Sequence, residues 1–181
     1  NASAYRSSSS AQEAESLWEA RRKCSGAMFR LGNTKLNEDV VVPLDRMGDL
    51  MKEIRALRAR TNLPIAVFGH AGDGNLHVNI MYDRNDRDAT HRAKTCLDSV
   101  MSHVTALGGA ISGEHGIGLA KANYLGLQLN PAQIKIMREI KRTFDPNSIM
   151  NPGKIFQPFN PWDHEPESYA FPWDHPRPAQ L

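Results

Sequence analysis

Cysteine is scarce in this sequence. Only two of the 181 residues are cysteines, Cys24 and Cys96, and they are widely separated and form no CxxC pair. This scarcity excludes a disulfide-stapled scaffold and a cysteine-based zinc knuckle. It is typical of a reducing compartment, so we expect a cytoplasmic protein. Residues 1–16 are polar and lack the apolar core of a signal peptide.

An excess of charge of one sign is also missing. The chain has 22 Lys and Arg residues against 20 Asp and Glu residues, for a net charge of +2. No basic block stands out, so we expect no nucleic-acid partner. No apolar run approaches the roughly 18–20 residues that cross a bilayer. The hydrophobic fraction of 40% is typical of a globular domain with a buried core.

Composition divides the chain into three segments. Residues 1–10 are of low complexity and are predicted to be a disordered or boundary segment. Residues 11–156 have the apolar periodicity of a folded domain. Eight of the 11 prolines fall after residue 145, which predicts an extended Pro-rich tail over residues 157–181.

The hydrophobic pattern alternates between helical and strand periods. A short connection from Phe68 to Leu76 is too brief for a crossover helix, so it predicts a hairpin. We therefore expect an α+β domain on an antiparallel sheet, with a parallel α/β sheet as the second interpretation. Helices are predicted over 11–31, 44–60, 90–107 and 131–144, and strands over 40–42, 64–68, 76–82 and 110–112.

The predicted hairpin carries the first group of candidate functional residues. Within residues 68–79, glycines turn the chain between His70 and His77. A hairpin of this size can aim both imidazoles at one point. Asn79 follows His77 by two residues, so it projects from the same face of the strand.

A second glycine-rich turn, residues 111–118, places Glu114 beside His115. Together, His70, His77 and Glu114 form a two-histidine, one-carboxylate set that leaves a coordination position open, as catalytic divalent metals require. Zinc is the default metal, and iron or manganese also fits. With His115 free beside it, the metal could activate water in a hydrolase or a substrate hydroxyl in an oxidation. A non-catalytic metal-binding module is the third interpretation, since histidines at strand ends often only form hydrogen bonds.

Five motifs, in chain order, resemble one family. They are LWEARR (17–22), EDVVVP (38–43), FGHAGDGNLHVNI (68–80), ISGEHGIGLAK (111–121) and FDPNSIMNPGKIF (144–156). They resemble the C-terminal part of the FAD-linked oxidases of the vanillyl-alcohol-oxidase superfamily, in the group of the flavin-binding glycolate oxidase component, D-lactate dehydrogenase and D-2-hydroxyglutarate dehydrogenase. The resemblance covers residues 14–156. It implies a ferredoxin-like antiparallel sheet with helices, forming part of a cap domain, followed by a C-terminal helical segment.

The resemblance also implies roles for individual residues. The metal ligands would be His70, His77 and Glu114. The substrate would be bound by Arg21, which grips its carboxylate, and by Ser25, Asn79 and His115. His115 would also be the catalytic base, and Asn151 would lie in a segment that returns to the flavin.

One position departs from the family pattern. Some relatives have a substrate-binding lysine two residues before the aspartate of a D-x-x-x-P motif. Here that position is Asn37, and Lys35 lies two residues earlier. This departure favours a small acid such as glycolate or D-lactate over a dicarboxylate.

By the same resemblance, the chain is expected to be a fragment. Its cofactors would be FAD, bound mainly by an absent N-terminal flavin domain, and a divalent metal. The whole enzyme would transfer a hydride from a 2-hydroxy acid to FAD and pass electrons to an external acceptor or an iron-sulfur subunit. Such partners could hold the protein at a membrane periphery. We expect the fragment alone to be inactive and to be able to form homo-oligomers through exposed surface.

Overall fold

The computed structural model describes residues 7–158. Most of the predicted segments 1–10 and 157–181 therefore lie outside the described residues. The described part is built from three strands and five helices joined by short 3₁₀ turns. In chain order they are α1 (Ala11–Ala27), β1 (Thr34–Val41), α2 (Met47–Thr61), β2 (Ile65–His70), β3 (Asn75–Tyr82), α3 (Arg87–Ala106), α4 (Leu125–Gln128) and α5 (Pro131–Phe144).

The three strands form one antiparallel sheet in the order β1-β3-β2. The chain order β1-α2-β2-β3-α3 places β3 between β1 and β2, which is the split arrangement of a ferredoxin-like fold. This confirms the predicted α+β class with an antiparallel sheet. The position of a fourth strand, beside β1, holds only an isolated bridge between Val41 and Ala110.

That bridge corrects the prediction of a strand over residues 110–112. Ala110 exchanges two backbone hydrogen bonds with Val41, and the chain then leaves the sheet edge. The next amides turn towards the side chain of Asp39, where Gly113 N donates over 2.9 Å. Their hydrogen bonds are therefore not available for a strand ladder.

The two faces of the sheet have different chemistry. Side chains of one face, such as those of the paired Leu36 and Ile80, join the apolar core with α2 and α3. The opposite face carries the pairs Asn37–Asn79 and Asp39–His77, because successive strand residues point to opposite sides. All eight residues of β3 are buried, as expected for a central strand.

Local signals explain where the helices begin. Asn130 and Gln133 form a capping box in front of α5, with Pro131 in the first turn. The side chain of Asp86 caps α3 by accepting from the amides of Asp88 and Ala89. Both helices agree with the sequence prediction. None of the helices within residues 7–158 combines the length and apolar character needed to cross a membrane.

Candidate functional site

Two histidines of the β2–β3 hairpin lie next to each other on the polar face of the sheet. His70 ends β2 opposite Asn75, and His77 lies two residues after Asn75 on β3. This diagonal placement brings the ring centroids to 5.7 Å. The hairpin predicted from the sequence therefore does bring both imidazoles together.

The third predicted ligand reaches the same point from a distant part of the chain. Glu114 lies in the loop after α3, and its Oε1 is 3.3 Å from His77 Nε2. One ligand atom each from His70, His77 and Glu114 lies within 4.8 Å of the others. Two imidazole nitrogens and one carboxylate oxygen at these separations suit zinc, iron or manganese.

The protonation state of His77 also fits a metal ligand. The residue is only 7% exposed, and this burial lowers its pKa although Glu114 and Asp39 act in the opposite direction. A neutral imidazole keeps a lone pair for coordination. The Glu114 side chain is 50% exposed, so one side of the cluster remains open. The residues present therefore fit a divalent metal with a free coordination position.

His115 lies against this cluster from the same loop. Its ring stacks on that of His77, with centroids 5.4 Å apart and an interplanar angle of 24°. Its Nε2 is 3.6 Å from Glu114 Oε1. The side chain is nearly half exposed, so it combines contact with the cluster and access from solvent.

The loop that carries Glu114 and His115 is tied to Asp39, which the sequence reasoning did not select as a site residue. Burial acts to raise the pKa of Asp39, but the amide hydrogen bonds of His115 and Glu114, together with nearby Lys121, hold it at about 2. Asp39 is therefore an anion at neutral pH. The sequence signal that could have identified Asp39 was its position as an acidic residue in the EDVVVP motif (38–43).

Lys121 fills the edge of the sheet beside Asp39. Its Nζ donates to the Asp39 carbonyl oxygen over 2.6 Å and lies 3.9 Å from the carboxylates of both Glu38 and Asp39. Burial is the main cause that lowers the Lys121 pKa and raises the Glu38 pKa to about 7. Glu38 therefore titrates near neutrality.

Glu38→Gln is expected to stabilise the fold at alkaline pH. The neutral acid form contributes stability that is fully present below its ordinary pKa of 4.5 and is lost as the pH rises through about 7. Glutamine stays neutral, so the variant should exceed the parent free energy of unfolding by up to about 3 kcal/mol at pH 8. The difference should shrink towards pH 4.5. Urea titrations across pH test this, with exposed Glu139→Gln as the control. A difference that does not change with pH would contradict the prediction.

The predicted substrate residues on α1 also face this side of the sheet. The Arg21 guanidinium lies 4.3 Å from the centroid of the Phe68 ring, and that ring is 5.8 Å from the His77 ring. Ser25 Oγ accepts a hydrogen bond from Lys35 Nζ over 2.9 Å. Arg21 and Ser25 therefore lie on the polar face, and Lys35 is a further cation that sequence reasoning placed outside the site.

Asn79 and Asn151 differ from the other candidates in their surroundings. Asn79 is fully buried, and its Nδ2 donates to the carbonyl oxygens of His77 and Ala66. Among the described residues its Oδ1 has no hydrogen-bond partner.

Asn151 lies after α5 and lines an open cavity of about 350 Å³ with Arg138 and other basic residues. This cavity is separate from the His–Glu cluster.

Comparison with known proteins gives a consistent result. Residues 1–155 match the family model described as FAD linked oxidases, C-terminal domain. The chain is 40% identical over 145 residues to glycolate oxidase subunit GlcD of Bacillus subtilis, covering 80% of this chain and 31% of that protein. It is 39% identical over 153 residues to D-2-hydroxyglutarate dehydrogenase of Stutzerimonas stutzeri, covering 82% and 32%.

A third relative is D-lactate dehydrogenase of Anaerostipes hadrus. It is 42% identical over 118 residues, which cover 65% of this chain and 25% of that protein. The chain therefore spans between a quarter and a third of the length of these curated relatives.

Proposed function

Because this chain belongs to the family of FAD-linked oxidase C-terminal domains, we propose that it is the substrate- and metal-binding part of an FAD-dependent 2-hydroxy-acid dehydrogenase. The observation that carries the proposal is the cluster of His70, His77 and Glu114 beside His115, on a face that also holds Arg21. FAD would be held mainly by other parts of a longer protein, and Asn151 would contribute to its binding.

His70, His77 and Glu114 would hold a divalent metal in this arrangement, with zinc as the first candidate and iron or manganese as alternatives. The chemistry supplied by the bound groups is Lewis acidity from the metal and acceptance of a hydride by FAD. The Glu114 side chain is half exposed, which leaves room beside it for the substrate hydroxyl. The two imidazoles and the carboxylate would orient that hydroxyl towards His115.

Arg21 and His115 would divide the remaining work. The Arg21 guanidinium would bind the substrate carboxylate through two parallel hydrogen bonds, with its position supported by the Phe68 ring. His115 would accept the hydroxyl proton as the hydride leaves the α-carbon, so that a 2-hydroxy acid becomes a 2-oxo acid. The electrons would pass from reduced FAD to an external acceptor or an iron-sulfur subunit.

The identity of the hydroxy acid divides into two candidates. Asn37 favours glycolate or D-lactate, as the sequence indicated. Lys35 favours an acid with a second carboxylate, because its Nζ hydrogen-bonds Ser25 on the α1 side of the site. Steady-state assays of the full-length protein with glycolate, D-lactate and D-2-hydroxyglutarate discriminate them.

The proposed function has a direct test. The full-length protein is expected to contain FAD and one divalent metal per chain, and a 2-hydroxy acid should bleach its flavin absorbance anaerobically. Metal analysis and single-turnover flavin reduction provide the measurements. Hydrolysis of ester, amide or phosphate substrates without flavin reduction would instead support the free-standing hydrolase, which the family membership does not favour. Metal binding with neither activity would indicate a non-catalytic module.

Arg21→Met is expected to raise KM for the 2-hydroxy acid by about 10- to 150-fold, because a hydrogen-bonded charge pair contributes roughly 1.5–3 kcal/mol. The matched control is Arg22→Met. Arg22 is the next residue of α1, and it is exposed and pairs with Glu15. Steady-state kinetics on both variants measure the effect. Equal KM values for the two variants would contradict the role of Arg21.

A further inference from the structure

We propose that Asp39 is the positioning residue of this site, which holds the loop 112–115 so that Glu114 and His115 face His77. The proposal rests on the proposed function for the roles of Glu114 and His115. The contact between Asp39 and the loop is a separate feature of the fold and is tested separately below.

Four donors of the loop converge on one oxygen of Asp39. Asp39 Oδ2 accepts from the amide of Gly113 over 2.9 Å and from the amides of Glu114 and His115 over 2.8 Å each. Ser112 Oγ adds a fourth hydrogen bond over 3.2 Å. Since Asp39 is 0% exposed, water does not compete for this oxygen, and charge-assisted hydrogen bonds are stronger than neutral ones.

Apart from Asp39, the loop is anchored at its start, where buried Ile111 joins the core and its amide donates to Gln128 Oε1 over 3.0 Å. After the single bridge at Ala110 the chain has left the sheet, and the Glu114 side chain is half exposed. Ser112 Oγ closes the turn by accepting from the amide of Gly116 over 2.8 Å. The orientation of Glu114 and His115 therefore depends on the carboxylate beneath their own backbone amides.

Strand register places Asp39 between the two parts of the site, the β2–β3 hairpin and the loop 112–115. Asp39 on β1 is paired with His77 on β3. The residue that holds the loop is therefore directly opposite a candidate metal ligand, on the same face of the sheet. Lys121 Nζ, bound to the Asp39 carbonyl oxygen, secures the same residue from the sheet edge. Asp39 thus sets the distance between the hairpin ligands and the loop ligand.

Close packing between the loop and Asp39 gives independent support. A Cβ atom added to Gly113 would lie 2.8 Å from Asp39 Oδ1, Asn75 Nδ2 and Val41 Cγ2. The loop approaches the carboxylate as closely as a residue without a side chain allows. Gly113→Ala should therefore displace the loop while leaving Asp39 itself intact.

The test compares Asp39→Asn with Glu38→Gln in the full-length protein. Both changes replace a buried carboxylate of β1 by an amide, but Glu38 points to the opposite face of the sheet. Co²⁺ is titrated into metal-free protein, and its visible spectrum and affinity are recorded. Asp39→Asn is expected to weaken Co²⁺ binding about 10- to 100-fold and to alter the spectrum, as loss of an outer hydrogen-bond partner does at metal sites. Glu38→Gln should bind Co²⁺ like the parent.

Backbone hydrogen exchange supplies a readout that needs no metal. In Asp39→Asn the amides of residues 113–115 should exchange faster, while those of the β2–β3 hairpin keep their protection. Gly113→Ala should give the same two changes and serves as the second variant if Asp39→Asn does not fold. Parent-like exchange at 113–115 in the folded variants, or parent-like Co²⁺ affinity and spectrum, would overturn the proposal. If the parent itself binds no Co²⁺, the proposed metal site fails, and amide exchange alone decides the role of Asp39.

Discussion

Glu114→Gln is expected to empty the metal site and abolish turnover, whereas His115→Asn should retain the metal and lose only the rate. A neutral amide is a poor ligand for a hard dication, and Glu114 is one of three ligands that lie within 4.8 Å of one another. His115 stacks on His77 but is outside that set of three. Loss of a general base typically costs about 10²–10⁴-fold in rate. Asparagine keeps hydrogen bonding at position 115, so KM should change less than kcat.

Two measurements on the full-length protein separate these roles. Metal content after dialysis reports on the ligand, and single-turnover flavin reduction reports on the base. The assignment of His115 as base is wrong if His115→Asn empties the metal site or reduces flavin at the parent rate. The assignment of Glu114 as ligand is wrong if Glu114→Gln keeps the full complement of metal.

A second large effect is expected from Gly74→Ala, in the turn between the two histidine ligands. Gly74 has a φ of +76°, and an added Cβ would overlap the carbonyl oxygen of Val42. The left-handed conformation costs a non-glycine residue roughly 1–2 kcal/mol, and overpacking typically adds about 1–3 kcal/mol. We therefore expect the free energy of unfolding to fall by about 2–5 kcal/mol and the metal affinity to fall with it.

The same turn contains a matched control for that change. A Cβ atom on Gly72 would meet no heavy atom within 4 Å, so Gly72→Ala should alter the free energy of unfolding by no more than about 0.5 kcal/mol. Urea unfolding and Zn²⁺ titration of both variants provide the comparison. Equal losses in the two variants would show that turn flexibility, rather than the fixed geometry at Gly74, determines the hairpin.

The sequence predicted those elements whose signals are local. The alternation around the glycine-rich turn identified the β2–β3 hairpin, and Asn130 with Pro131 identified the start of α5. The prediction for β1 began at residue 40, but the strand begins at Thr34. In the first half of β1, residues such as Lys35 and Asn37 place polar side chains on the polar face of the sheet. Buried polar side chains do not give the apolar pattern by which a strand is predicted.

The candidate site was predictable to a similar degree. Residues on glycine-rich turns could be grouped by type, and the structure does bring His70, His77 and Glu114 together. Asp39 could not be found in this way, because its partners are loop amides more than 70 residues away. Almost any residue can donate a hydrogen bond from its backbone amide, so residue types in the sequence do not reveal such donors. Lys35 was placed outside the site because it is offset by two residues from the family's lysine position, and its contact with Ser25 on another element is not visible in the sequence.

The outer edge of β1 has a consequence for self-association. A free strand edge offers unpaired amides and carbonyls to any neighbouring chain, and natural sheets often protect it with an inward-pointing charge. Here Ala110 pairs with Val41 at the end of this edge, and the Lys121 ammonium donates a hydrogen bond to the Asp39 carbonyl oxygen. A second chain adding a strand at this position would have to displace a buried cation and leave Glu38 and Asp39 without it. Addition of a strand at this part of the β1 edge is therefore disfavoured.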